Sequence, residues 1–170
     1  MSKAFTREDL PEAAPIVIKR AQLPEGVPNY MTPRGLELLH QERVRLLEAR
    51  RSALAAKDHG ALPNLDANLE ALDARIASAA IVELPSPPPE EIRFGARVLV
   101  VDESDQAHEL EIVGVDEADL DSRKIAFIAP LARALLGKRE GDIALVKTPR
   151  REDHASGEEE YEILSVRYGD

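Results

Sequence analysis

The stretch Leu65-Asp66-Ala67-Asn68-Leu69-Glu70-Ala71-Leu72-Asp73-Ala74-Arg75-Ile76-Ala77-Ser78-Ala79 decides the architecture of the N-terminal half. Leu65, Leu69, Leu72, Ile76 and Ala79 recur at steps of 4, 3, 4 and 3. That spacing keeps one side of an α-helix apolar along a heptad seam, and such a seam needs a second helix to cover it. The partner lies upstream. Thr32-Pro33 offers a hydroxyl N-cap followed by proline at the first helical position. From there to about Asp58 the only helix breaker is Gly35, in the first turn. At 100° per residue, Leu36, Leu39, Leu46, Leu47 and Leu54 share one arc of roughly 100°. Arg43 and Arg50 fall in the same arc, where their stems can cover apolar surface while their heads seek a carboxylate.

Between the two runs lies Asp58-His59-Gly60-Ala61-Leu62-Pro63-Asn64. Gly60 suits a helix end and Pro63 bars simple continuation. Two seams joined by a short loop predict an antiparallel coiled-coil hairpin over residues 31–84. Its arms are expected at about 26 and 20 residues and its projection at roughly 30–39 Å. An isolated helix pair of this length is marginal, so its base needs a brace. Upstream, residues 1–30 carry Pro11, Pro15, Pro24 and Pro28 and read as a flexible N-terminal arm, although Ile16-Val17-Ile18 could dock as a strand. Downstream, Pro85-Ser86-Pro87-Pro88-Pro89 makes residues 85–90 a stiff Pro-rich linker.

The character changes after the linker. Strands are expected over residues 97–101, 109–113, 124–128, 143–147 and 161–168, with a turn at 102–106. A short helix over 131–136 is opened by Pro130 and closed by Gly137. Residues 91–170 thus form a second domain, an antiparallel sheet folded over one short helix, and the chain as a whole is of the α+β class.

Bulk composition excludes several function classes. The 170 residues are 44% apolar but only 4% aromatic, so the core must come from aliphatic side chains. With no Cys, disulfides and thiolate metal sites are ruled out, and a reducing, cytoplasmic setting is expected. No apolar run approaches the ~18 residues of a membrane span, and residues 1–20 lack the pattern of a secretory signal. The net charge of -10 disfavours independent binding to nucleic acid and favours a basic protein surface as partner. No Gly-rich phosphate loop, Gly-x-Ser-x-Gly or Cys–His pair is present, so no independent catalysis and no cofactor are expected. His40, His59, His108 and His154 show no metal-ligand spacing. Asp116, Glu117, Asp119 and Asp121 crowd one turn but lack the glycine and terminal Glu of an EF-hand loop, so no resident metal is expected.

Two C-terminal stretches resemble the C-terminal domain of the GreA/GreB transcript-cleavage factors. They are Ile112-Val113-Gly114-Val115-Asp116-Glu117-Ala118-Asp119 and Ala129-Pro130-Leu131-Ala132-Arg133-Ala134-Leu135-Leu136-Gly137-Lys138-Arg139-Glu140-Gly141-Asp142. Phe94-Gly95 at the domain entry fits as well, and Thr32-Pro33-Arg34-Gly35-Leu36 is similar to the family's Thr-x-x-Gly opening of its coiled coil. The resemblance spans residues 32–168 and leaves 1–30 outside. It implies an FKBP-like C-terminal domain docked on the rim of the RNA polymerase secondary channel, with the coiled coil entering that channel. Acids at the coiled-coil tip then help hold a second Mg²⁺ for hydrolysis of backtracked RNA, a role that demands extra hard oxygen ligands.

The chain departs from that pattern where the chemistry sits. Cleavage-competent members carry Asp-x-x-Glu-Asn at the tip. Ungapped reading places Ala55-Ala56-Lys57-Asp58-His59 there, leaving Asp58 and, across the loop, Asp66 as the only tip carboxylates. The arms also read about two turns shorter than the family's, about 11 Å, and are reminiscent of the Rnk-type relatives. The family's Ser before the short-helix proline is Ala129 here. The sequence thus predicts a monomeric polymerase-binding elongation regulator that does not stimulate cleavage, with Pro130, Leu131, Ala132, Leu135 and Leu136 supplying core and docking patch in undivided shares. The alternatives are a true cleavage factor using Asp58 and Asp66, an FKBP-like peptidyl-prolyl isomerase, and an oligomerisation module built on the leucine seams.

Overall fold

The computed structural model describes residues 20–84, 86–147 and 157–169. Ile16-Val17-Ile18, Pro85, Arg150-Arg151 and His154 lie outside the described residues.

Thr32 starts the first helix as expected. Its Oγ accepts the Gly35 N–H at 3.0 Å, and Pro33 opens α1, Pro33–Ala56. The helix stops at Lys57, which adopts a left-handed φ of 56° and returns its N–H to the Leu54 carbonyl at 3.2 Å. Asp58 N–H closes on the Ala53 carbonyl at 2.9 Å. The stop therefore comes three residues before Gly60, the expected terminator. Pro63 falls in the first turn of α2, Leu62–Ala77, where its missing N–H costs nothing. The arms are 24 and 16 residues rather than about 26 and 20.

The helices pack along Leu39, Ala53, Leu69 and Leu72, all buried, with Leu36, Leu46 and Ile76 partly buried beside them. The α1 seam corrects the expected arc. Leu47 and Leu54 are 39% and 50% exposed, and small Ala53 faces α2 in place of Leu54. Steps of seven from Leu39 lead to Leu46 and Ala53, and steps of seven from Leu36 lead to Arg43 and Arg50. The seam is thus a heptad seam whose second row carries two arginines.

The hairpin base is not helical. β1, Asn29–Met31, pairs in parallel with β2, Ala79–Ile81, with Asn29 opposite Ala79 and Met31 opposite Ile81. This overrides two boundaries: the arm assigned to residues 1–30 ends in a strand, and Ala79 belongs to β2 rather than to the helical seam. Met31 is fully buried against Leu39 and Leu72.

The C-terminal unit is a five-stranded sheet of β3 (Ala96–Asp102), β4 (Ala107–Val113), β5 (Lys124–Ala126), β6 (Ile143–Lys147) and β7 (Glu158–Tyr168), in the order β5-β4-β3-β7-β6. Three of its pairings are antiparallel, but β4 and β5 are parallel, so the sheet is mixed rather than antiparallel. The reason lies in the connection. After β4 the chain passes through a 3-10 turn, Val115–Glu117, and a loop before β5, which returns it to the same end of the sheet. Alternation along β3 turns Ala96, Val98 and Val100 inward, where they meet Ile112, Ile163 and the buried face of α3, Pro130–Leu135. Gly137, at φ 82°, ends that helix turn, as expected. No helix among the described residues is long and apolar enough to cross a membrane.

Candidate functional site

Three surfaces carry the residues singled out by the sequence: the hairpin tip, its base and the outer face of α3. Both tip acids are already engaged. Asp58 Oδ1 accepts the Ala61 N–H at 3.1 Å and so caps the turn it sits in. Asp66 Oδ1 accepts from Arg50 Nε at 2.5 Å. One heptad further from the tip, Arg43 Nε meets Asp73 Oδ1 at 2.6 Å. The two bonds form successive rungs of one ladder, since the partners move seven residues up α1 and seven down α2. This register shows directly that the helices run antiparallel. The hydrogen bond to Asp73, and then its charge, raises the Arg43 pKa above its already high ordinary value. No group of three or more acidic or histidine side chains suited to a metal ion occurs among the described residues.

The base is where the sequence reading missed most. Glu117, in the 3-10 turn, accepts from the Thr32 N–H at 2.9 Å, from the Thr32 hydroxyl, and from the Gly114 N–H at 3.2 Å. Gly35 packs so closely on this carboxyl that a Cβ would stand 2.2 Å from Glu117 Cδ, and one on Gly114 would stand 2.5 Å from the Tyr30 carbonyl oxygen. Asp116 Oδ2 lies 3.1 Å from Arg75 Nε, and its Oδ1 lies 3.5 Å from Arg20 Nη1. Asp119 caps the next loop through Ser122 Oγ and the Asp121 N–H, and these hydrogen bonds, Ser122 first, hold its carboxyl below the usual range. Three of the four crowded acids, Asp116, Glu117 and Asp119, are therefore bonded structural groups. Apart from family resemblance, their only signal was a run of acids in the turn that follows a strand.

Beside this clasp, Tyr30 meets Phe94 and Phe127 with ring centroids 6.0 and 5.4 Å apart. Tyr168 spends its hydroxyl on the Glu91 carbonyl, donating at 2.5 Å, and accepts from the Arg93 N–H at 2.8 Å. Aromatics that could have lined an isomerase pocket thus serve the joint and the domain entry. The space between sheet and short helix is filled by core side chains. The isomerase alternative is left without support.

The face of α3 can now be divided. Ala132 and Leu135 are fully buried in the sheet core and are removed from the expected docking patch. Pro130 is exposed, and Leu131 and Leu136 are half-buried.

Comparison with known proteins gives this geometry its context. The family described as "Transcription elongation factor, GreA/GreB, C-term" matches residues 87–168. Transcription elongation factor GreA of Methylococcus capsulatus is 34% identical over 161 residues, covering 81% of this chain and 96% of the relative. The chain belongs to the GreA/GreB family of transcription elongation factors. GreA of Ruegeria pomeroyi is 33% identical over 157 residues, with 81% of this chain and 96% of the relative covered. The crystal structure of GreA factor homolog 1 (Gfh1) of Thermus thermophilus is 26% identical, covers 83% of this chain and 99% of that one, and superposes with a TM-score of 0.38. In the Methylococcus GreA alignment, 81% of 170 residues is about 138, against 161 aligned positions. About 23 positions of the alignment therefore face gaps in this chain.

Proposed function

We propose that this GreA/GreB-family protein docks on RNA polymerase at the rim of the secondary channel, inserts its hairpin, and regulates elongation without promoting transcript cleavage. One observation carries the reading: both tip carboxylates are committed, Asp58 to its own turn and Asp66 to Arg50. A second Mg²⁺ at a phosphoryl-transfer centre needs uncommitted hard oxygens placed within about 2–2.5 Å of it. The lengths agree with this. Arms of 24 and 16 residues rise about 36 and 24 Å, within or below the span of roughly 30–39 Å expected from the sequence.

Docking falls to Pro130, Leu131 and Leu136, which remain accessible on α3. The coiled-coil hairpin and FKBP-like sheet implied by the resemblance are the parts this role needs. The seams cover each other, so the protein acts as a monomer. Its charge of -10 leaves polymerase, rather than free nucleic acid, as the binding partner.

The test uses backtracked elongation complexes. The full chain is expected to bind core polymerase, to compete with a cleavage-active GreA, and to leave the rate of transcript shortening at its intrinsic level. Stimulated shortening that is lost on Asp58→Ala would establish the cleavage-factor reading instead. Failure to bind core polymerase would remove both readings.

A further inference from the structure

We infer that residues 20–30, all outside the family resemblance, form a strap that sets the direction in which the hairpin leaves the sheet unit, with Arg20 as its positioning residue. The Glu117 clasp on Thr32 and the Arg75–Asp116 pair hold the hairpin at its foot, and ties so close to the pivot leave a long rod room to swing. Arg20 adds a tie farther up the first helix. Its Nη2 lies 2.5 Å from Glu42 Oε1 on α1, and its Nη1 lies 3.5 Å from Asp116 Oδ1 in the 3-10 turn. Glu42 is ten residues beyond Thr32, about 15 Å up the helix, so the tie acts on a lever arm.

The strap also grips the second helix. Arg75, in the last turn of α2, reaches the same Asp116 and donates to the Ala21 carbonyl. Asn29 Nδ2 donates to the Arg75 carbonyl at 2.9 Å and to Ser78 Oγ at 3.1 Å, capping the end of α2. The side chains of Asp116, Arg75 and Arg20 are only 5%, 11% and 15% exposed, so these charges are poorly screened by solvent. A planar guanidinium can hold two carboxylates from two elements at once, whereas an ammonium is a point charge that engages them less rigidly. The residue type therefore suits a strap between the hairpin and the 3-10 turn.

Because the chain has no Cys, the geometry can be measured directly. Spin labels at His59→Cys, on the tip, and Glu160→Cys, on β7, report the tip-to-sheet distance in the full chain by pulsed electron resonance. With the strap intact one narrow distribution is expected. Arg20→Gln broadens and shifts it with helical circular dichroism unchanged, Arg20→Lys falls between, and Arg45→Gln, at an exposed site on the same helix, leaves it alone. Glu42→Gln, which cuts only the α1 end, broadens it too and stands in if Arg20→Gln loses helix content. An unchanged distribution in both Arg20→Gln and Glu42→Gln overturns the inference. Its consequence for transcription rests on the proposed channel insertion. If the distance changes while the effect on elongation does not, insertion fails and the strap stands.

Discussion

The hairpin and the sheet unit are stabilised in different ways. The sheet unit buries ten apolar residues in one cluster, nine from five strands and a helix and the tenth, Ile92, from the segment before β3. The hairpin's own cluster has three fully or nearly buried members, Met31, Leu39 and Leu72. Two of its heptad positions are given to arginines that face carboxylates. Such exposed pairs fix register but contribute little to stability. A helix pair that thin persists because its ends are held: β1 and β2 tie its two strands of chain together, and Glu117 and Asp116 bolt it to the sheet. One region stands on its core and the other on its joint.

The widest separation between the two should appear when the core itself is cut. Leu135→Ala removes a fully buried side chain between α3 and the sheet and should destabilise by about 2–5 kcal/mol. Urea denaturation followed by circular dichroism should show sheet and hairpin lost together, because the joint goes with the sheet. A hairpin that survived this loss of the sheet would mean it needs no joint. Cutting the joint should do less, and only on one side. Glu117→Ala strands the Thr32 N–H and hydroxyl and the Gly114 N–H, at a cost of about 1–3 kcal/mol. Amide exchange should rise through α1 and α2 while β3, β4 and β7 stay protected. Equal loss of protection in the sheet would show that the two regions form one cooperative unit.

What was legible in the sequence follows the same divide. Local signals placed the sheet unit well. Pro130 and Gly137 bounded the short helix to within a residue, and alternation placed β6 at Ile143–Lys147. The parallel run of β5 was missed because strand direction depends on the path of the connection, not on the residues of the strand. At the hairpin the periodicity gave both helices, yet it favoured Leu54 over Ala53 because a large apolar residue weighs more than the small one that the seam accommodates. β1 and β2 have three residues each and pair across fifty positions of chain, too short for period-2 alternation to register. The clasp was invisible for a related reason. Asp116 and Glu117 were set aside as an ion site for want of EF-hand spacing, but nothing nearby named their role, because their partners, Arg20, Thr32 and Arg75, come from far away in sequence. The tip was more legible: Asp58 and Asp66 stood out as its carboxylates and the arginines of the first seam as groups seeking acids, and Asp58 caps its turn while Asp66 pairs with Arg50.

The smallest expected difference between the regions concerns acid. Besides Asp119, the sheet unit holds two more carboxyls below their ordinary range. For Glu91 the hydrogen bond from Arg139 is the main cause, with Arg139 Nη2 at 2.9 Å from Oε1, and its charge adds to it. For Asp102, at the β3–β4 turn, the hydrogen bond with His108 at 2.8 Å dominates, followed by the Gln106 N–H. A carboxyl with a lower pKa folded than unfolded stabilises the fold above the unfolded value, about 4 for either residue, and that contribution is lost as pH falls through the folded value. Glu91→Gln should therefore be less stable than the parent at pH 7, and the gap should close at more acid pH, below the ordinary carboxyl range. Both groups are solvent-accessible, so salt should shrink the pH 7 gap as well. Denaturation midpoints at the two pH values, with and without added salt, read this out. A gap that persists undiminished in acid would mean Glu91 acts through packing at the domain entry, beside Ile92, and not through its charge.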